Sequence, residues 1–574
     1  MKIEKVTIRN YKSIKEIEFE PCSGLNSFIG ANSTGKSNIF DAINWLLGPV
    51  YPSFNSIKKE DHFLGNEENK IFIKLEFDDS NSIELDEAKP VTSHGREEIK
   101  SGLFYNNQSY NCKGEIREKY CSAYLGVDRE IMDYLPSNRW SLVGRILLEI
   151  NKKFQQEDYL YNGITKKKTE WLKEWLTVIR DRLLFSVEDE SGQKVMGKFQ
   201  EILQAESAKQ LNRSETDFKV DLSLYDPWNF YRTLQLVVKE QDMGGLEFQA
   251  SSLGMGVQAS ISIAILKAYS ELNLSNKSPI FIDEPELYLH PQAQRNFYKL
   301  LRDLSKDKYD EEGNLVREGT QVFFTTHSPN FLSAGNFNEI FLVRKNSEKG
   351  THICYAKVPD FITDLRIRLG IESTNEYILL HFKNAYENTG DTQKANEGFF
   401  AKKIILVEGQ SEVLILPYFF DLIGFDYVKE GISIVRCGGK VELDRFYRLY
   451  TEFGIPCYLI FDGDKQINTS PKKEENITRN KAILSLFETV VSDYPTNNVK
   501  DKYLGFETTF DENLGFATSK KGLDLYIETK VQVPTSQRVP VWVNEIKTKL
   551  DSLSDSSISS VLLKDMPGES NSEF

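Results

Sequence analysis

Leu25-Asn26-Ser27-Phe28-Ile29-Gly30-Ala31-Asn32-Ser33-Thr34-Gly35-Lys36-Ser37-Asn38 is the stretch on which the fold turns. Leu25–Ile29 has the apolar character of a short strand. Residues 38–47 carry Ile39, Ala42, Ile43, Leu46 and Leu47 at the spacing of one helix face. Between them, Gly30-x4-Gly35-Lys36-Ser37 completes the phosphate-loop pattern. Glycines let backbone N–H groups wrap phosphate oxygens, and the helix N-terminus adds favourable partial charge. Lys36 is expected to reach the β- and γ-phosphates of ATP and Ser37 to ligate Mg²⁺. Gly30, Asn32, Gly35 and Asn38 are placed around the same nucleotide. Strand, glycine loop and helix in this order predict an α/β nucleotide-binding fold.

Three downstream segments extend that reading. Ile280-Phe281-Ile282-Asp283-Glu284-Pro285-Glu286 is an apolar strand ending in acids. Asp283 is expected to hold the Mg²⁺ water shell and Glu284 to polarise an attacking water. Val322–Thr326 is a second apolar strand, closed by His327, whose neutral imidazole would sense the γ-phosphate or that water. Ser251-Ser252-Leu253-Gly254-Met255-Gly256-Val257-Gln258 precedes a helix, and Ser252 and Gly254 are candidates for a further anion cradle.

The C-terminal half carries a different pattern. Ile404–Val407 is an apolar strand followed by Glu408, Gly409 and, four residues after the first acid, Glu412. Tyr458–Phe461 is another, followed by Asp462-Gly463-Asp464, whose acids share one side if the backbone stays extended. Two parallel strands ending in acids gather carboxylates at one sheet edge. Like charges ~4 Å apart cost about 4 kcal/mol at an effective dielectric near 20. Hard oxygen donors in such a cluster select Mg²⁺ or Mn²⁺. Two such ions suit phosphodiester cleavage.

The P-loop, the Asp283–Pro291 run and the strand ending in His327 resemble the ABC-type ATPase heads of the structural-maintenance and recombination-repair class. That resemblance implies a homodimer or higher oligomer in which one subunit's signature segment caps the ATP of another. Ser252–Gln258 departs from the transporter signature and no clear Q-loop is found, which points away from fast turnover. Val407-Glu408-Gly409, Glu412 and Asp462-Gly463-Asp464, with the Cys437-Gly438-Gly439-Lys440 turn between them, resemble a Toprim domain. A head followed by Toprim is similar to the OLD (overcoming lysogenization defect) family, which includes the nuclease subunit of the Gabija anti-phage system. The family implies a Mg²⁺- or Mn²⁺-dependent DNA endonuclease in anti-phage defence. It also implies a further acid, for which Asp511 is the candidate in Phe510–Leu514 with Asn513 in the second acidic position. A C-terminal lysine is implied as well, with Lys520, Lys521, Lys530 and Lys547 all open. Family members act alone, with a helicase, or beside a reverse transcriptase and its RNA. The competing reading is a non-nuclease ATPase scaffold binding DNA or a partner, its Toprim unit degenerate.

Composition bounds these readings. The chain has 574 residues with 40% hydrophobic and 27% charged residues, an ordinary globular balance. A net charge of -14 argues against a generic basic coat for nucleic acid. The six cysteines form no C-x-x-C pair, so no zinc site is supported. No apolar run reaches the ~18 residues of a membrane span, and Met1–Lys5 opens no signal-peptide core, so no membrane partner and a cytoplasmic location are expected. The expected organisation is an ATPase head over 1–140 and 216–383, a helical insertion and dimerisation arm over 141–215, a linker over 384–399, a Toprim domain over 400–552 and a Ser-rich tail over 553–574. Residues 305–319 and 469–476 read as polar loops.

Overall fold

The computed structural model describes residues 1–48, 57–126, 142–211, 237–271, 278–356, 374–387 and 392–553, with residue 229; within those ranges 90, 94–95, 101, 110–113, 185, 189, 191, 241–244 and 250–251 are left out. The expected head–insertion boundaries near 140 and 215, and the tail beyond 553, lie outside the described residues.

The N-terminal half is organised by one sheet. Its strands are β1 (Ile3–Tyr11), β2 (Ile14–Phe19), β3 (Leu25–Ile29), β4 (Phe72–Phe77), β5 (Ser82–Asp86), β6 (Leu103–Tyr105), β7 (Gln108–Ser109) and β8 (Ala123–Leu125), followed, beyond the inserted hairpin β9 (Asp158–Tyr161) and β10 (Ile164–Lys167), by β11 (Ile280–Ile282), β12 (Val322–Thr326), β13 (Ile340–Asn346) and β14 (Gly350–Cys354). The twelve-stranded order is β8-β11-β12-β3-β13-β14-β2-β1-β4-β5-β6-β7. From β8 to β13 every pairing is parallel, and β3 lies between β12 and β13. Strands β3, β11 and β12 are buried along their whole length without alternation because both faces are covered. Helix α1 (Lys36–Leu47) buries Ile39, Phe40, Ile43 and Leu47. The antiparallel half alternates, as in β4, whose Ile73, Leu75 and Phe77 point inward.

The insertion is helical but not wholly so. Helices α2 (Leu142–Gln156), α3 (Lys168–Ile179) and α4 (Val195–Leu211) are interrupted by the β9–β10 hairpin. The Lys166–Lys168 run, read as part of a charged helix, lies on the second hairpin strand and the start of α3. Tyr159 and Tyr161 pack edge-to-face on Trp175, a cross-element contact that helical periodicity alone does not reveal.

Helices α5 (Met255–Glu271) and α6 (Pro291–Ser305) complete the head. The stretch 305–319, expected as a loop, contains a short hairpin pairing Lys308 with Arg317. The polar stretch 384–399 is not a bare linker: α7 (Asn375–Glu387) runs into it and α8 (Thr392–Gly398) follows. Asn396 explains the order. Its amide donates to the Leu332 and Pro329 carbonyls and its oxygen accepts from the Ala334 N–H. That tether ties α8 to the loop just after His327.

The second sheet has four parallel strands, β15 (Lys403–Val407), β16 (Ile432–Arg436), β17 (Cys457–Asp462) and β18 (Tyr503–Phe506), in the order β16-β15-β17-β18. Helices α9 (Gln410–Leu422), α10 (Lys440–Glu452), α11 (Lys472–Leu484), α12 (Gly522–Gln532) and α13 (Val541–Ser552) surround it. Residues 472–476, expected as loop, open α11. One buried cluster joins the two units, with Ile29, Phe337 and Leu342 on one side and Leu406, Tyr450 and Leu459 on the other. Arg344 also donates to the Gly454 carbonyl at 2.8 Å. Among the described residues no helix is long and apolar enough to cross a membrane.

Candidate functional sites

Both sites lie where physics places ligands in open α/β sheets, outside the carboxyl ends of parallel strands. In the head, β3 runs straight into the P-loop. Gly30 has φ 145°, and a Cβ there would run into the Val343 carbonyl oxygen; Gly35 has φ 102° and caps α1. Lys36 is buried and folds back, its Nζ donating to the carbonyls of Gly30 and Ala31 at 3.0 and 3.1 Å. Burial pulls its ammonium down, while Glu284, Asp283 and Glu286 oppose that. Beneath the loop, Asn38 donates to Ser13 Oγ at 2.7 Å, and Ser13 and Thr351 share a bond of 2.7 Å. Asn32 is exposed.

The neighbouring strand ends complete this site. Ser37 Oγ donates to Asp283 Oδ2 at 3.2 Å, and Thr325 Oγ1 donates to Asp283 Oδ1. Glu284 adopts φ 47°, held by its N–H on Thr325 Oγ1 at 3.0 Å. His327 Nε2 lies 3.7 Å from Glu284 Oε1. Burial, then the nearby Lys36 charge, pushes the imidazole below its ordinary range and favours the neutral ring. Lys36, Ser37, Asp283, Glu284 and His327 are therefore assembled together by β3, β11 and β12. Sequence reading missed Glu286, whose Oε1 accepts the His327 N–H at 2.6 Å and whose Oε2 accepts from Thr326 Oγ1 at 2.9 Å. Ser252 and Gly254 are exposed ahead of α5, and Ser252 Oγ donates to Gln249 O.

Gly30→Ala is expected to lower stability by at least about 2 kcal/mol, since the backbone is strained for an L-residue and the Val343 carbonyl cannot step aside cheaply. A thermal melt of the variant equal to that of the parent chain would refute this.

In the second sheet, β15 and β17 are hydrogen-bonded neighbours with Val407 beside Ile460. Glu408 and Asp462 close those strands and touch: Glu408 Oε1 accepts the Asp462 N–H at 2.9 Å. Glu412 lies in the first turn of α9 and is 4% exposed. Burial pushes Glu408 up to about 8 and Glu412 up to about 7. Burial, then Glu408 and Glu412, also raises Asp462 well above the carboxylate range. Asp511 is raised by burial, against the pull of Lys521 and a bond from Ser411. Lys521 also pulls Glu412 down, which sets it apart from Lys520, Lys530 and Lys547, placed against Glu528, the Tyr418 and Tyr526 rings, and Phe425. Asn513 is tied up structurally, its side-chain amide donating to Thr509 O and its backbone carbonyl accepting from Trp542 Nε1. Glu507 is paired with Lys465.

The two acids of Asp462-Gly463-Asp464 do not share one side as an extended strand requires. The strand ends at Asp462, and Asp464 turns to φ 52°. Its Oδ2 lies 2.7 Å from Lys440 Nζ. Among the described residues no three Asp, Glu, His or Cys side chains are gathered closely enough to hold an ion as they stand. The donor set nevertheless fits a hard divalent cation: buried carboxylates that raise one another are stabilised when a cation neutralises them.

A P-loop ATPase head joined through a common core to a small parallel sheet with carboxylates at its edge is the class of protein these features define. A family model described as "AAA domain, putative AbiEii toxin, Type IV TA system" matches residues 25–333, over half the chain, and one described as "Overcoming lysogenization defect protein-like, TOPRIM domain" matches residues 399–464. The chain belongs to the OLD family, with an AAA-type ATPase domain followed by a TOPRIM domain. It is 25% identical to the OLD nuclease of Thermus scotoductus, over 80% of this chain and 82% of that protein. It is 24% identical to the Old nuclease of Escherichia phage P2, over 81% and 77%. Endonuclease GajA of Bacillus cereus is 22% identical, over 81% and 75%.

Proposed function

We propose that the chain is a metal-dependent DNA endonuclease, nicking or cutting, under the control of ATP bound at its head, and that it serves in anti-phage defence. The observation that carries this reading is the contact between Glu408 and the Asp462 backbone, with the buried Glu412 close enough to raise Asp462 and Asp511 close enough to raise Glu412. Relatives named as nucleases over about four-fifths of the chain support it.

Glu408, Glu412, Asp462 and Asp511 would hold Mg²⁺ or Mn²⁺. Bound there, the ion supplies Lewis acidity to the scissile phosphate and lowers the pKa of attacking water. Lys521, whose charge reaches both Glu412 and Asp511, is the C-terminal lysine we assign to the phosphate's developing negative charge. In the head, Lys36 and the P-loop amides orient the triphosphate, while Ser37 and Asp283 would hold its Mg²⁺. Glu284 accepts a proton from the attacking water, and the neutral His327 orients it. Ser252 and Gly254, exposed here, would cap the nucleotide of a second copy, giving a homodimer or larger oligomer. Asn396 links the loop after His327 to the TOPRIM unit, and nucleotide binding alters cleavage only if it favours one arrangement of that junction.

Plasmid nicking should vanish in EDTA and return with added Mg²⁺ or Mn²⁺. Cleavage that persists through chelation defeats the proposal.

A further inference from the structure

The chain leaves the nucleotide site under close control. Glu286 holds both the Thr326 hydroxyl and the His327 N–H, and Ser328 donates its N–H to Thr326 Oγ1 at 3.0 Å. Gln294 of α6 then grips the loop. Its Oε1 accepts from Ser328 Oγ at 2.8 Å and from the Asn330 amide at 3.0 Å, and its own amide donates to the Leu289 carbonyl at 2.9 Å. Residues 328–330 are thus tied to the run Asp283–Pro291, which carries Glu284 and Glu286.

On its other side the loop meets one side chain. Asn396 commits both amide hydrogens, to Pro329 O at 3.1 Å and Leu332 O at 2.8 Å, and its oxygen accepts the Ala334 N–H at 3.0 Å. Its neighbour in α8, Ala395, accepts the Tyr450 hydroxyl at 2.6 Å. Tyr450 is fully buried near the end of α10, stacked on Phe446 and edge-on to Phe399. A Cβ at Gly398 would come within 2.6 Å of its hydroxyl oxygen, so α8 has no slack against the ring. Helix α10 is 13 residues, about 20 Å, long. At its far end Lys440 donates to Asp464 and to Asn476 of α11. The apolar cluster between the units is non-directional and tolerates small slides. The three bonds of Asn396 do not: a shift of the loop either carries α8 along or breaks them.

We propose that Asn396 is a positioning residue that makes the His327 loop, α8 and α10 move together, so that nucleotide in the head is felt at the carboxyl edge of the second sheet. The inference rests on the ATP-controlled nuclease reading above. ATP biases the junction only by binding its two arrangements unequally, and the coupling is reciprocal.

The test is hydrogen–deuterium exchange of the full chain with and without a saturating non-hydrolysable ATP analogue and Mg²⁺, alongside plasmid nicking under the same conditions. In the parent chain the analogue should change amide exchange in α8 and α10, and the nicking rate, by at least about fivefold. In Asn396→Leu these responses should shrink below about twofold, while nicking without nucleotide stays within about threefold of the parent. Tyr450→Phe should keep the response of α8 and lose that of α10, and it decides the matter if Asn396→Leu does not fold. Arg344→Met removes another bond between the units, to the Gly454 carbonyl, and should leave every response intact. An unresponsive α10 in the parent overturns the proposal, as does a parent-sized α10 response in either Asn396→Leu or Tyr450→Phe. An equal loss in Arg344→Met also overturns it, since general loosening would then suffice. A parent chain with the expected exchange pattern but no metal-dependent nicking supports the relay and removes the nuclease reading instead.

Discussion

Glu408→Ala is expected to abolish DNA cleavage, lowering the nicking rate by more than about a hundredfold, with ATP binding intact. Removing groups that merely orient metal ligands costs about 10–100-fold in metal affinity or activity, so losing a ligand costs more. Glu408 sits at the centre of the second site. Its carboxylate accepts the Asp462 N–H, and its charge is the largest neighbouring influence on Asp462 after burial. The alanine also strips that N–H of its acceptor, so Glu408→Gln serves as the companion: its amide oxygen keeps the hydrogen bond without the charge. Both variants should fail in Mg²⁺ and in Mn²⁺. Nicking at the parent rate by either one removes Glu408 from the reaction. ATP binding is spared because Glu408 closes a strand of the second sheet, whereas the P-loop follows β3 of the first.

Lys36→Ala is expected to weaken ATP binding by about a hundredfold. The ammonium now spends its hydrogen bonds on the Gly30 and Ala31 carbonyls, within the loop that phosphates would occupy. Charge-assisted hydrogen bonds contribute about 1.5–3 kcal/mol each, and about 1.4 kcal/mol is a factor of ten. Two such bonds to a triphosphate therefore account for the predicted loss. Titration with a fluorescent ATP analogue reads it directly. An affinity within twofold of the parent chain would dismiss Lys36 from the nucleotide site. The same variant reports on control: cleavage by Lys36→Ala should no longer respond to ATP, while its response to EDTA persists.

Much of both sites was legible because their chemistry is written locally. A phosphate loop needs glycines at fixed spacing from a lysine, and an apolar strand ending in an acid shows itself within seven residues. What escaped was the support around them. Glu286 read as part of a motif, but its role in gripping Thr326 and the His327 backbone depends on β11 lying beside β12. Asn476 was hidden in a polar stretch that reads as loop, since its helix buries few apolar residues and so has weak periodicity. The interrupting hairpin at Asp158–Lys167 was masked by charged residues that also suit a solvated helix.

By itself the sequence determined that this chain carries a nucleotide-binding loop, one acid-tipped strand in its head and two in its second unit, and the order of both units. Those features depend on neighbouring residues and on backbone geometry that few residue types can adopt. Only the tertiary structure decided that Asp464 turns from Asp462 toward Lys440, that Lys521 is the candidate C-terminal lysine whose charge reaches Glu412 and Asp511, and that a single apolar cluster joins the two units. Lys440 and Asp464 are 24 residues apart. Their meeting follows from the strand order β16-β15-β17-β18, a long-range pairing that no local spacing encodes.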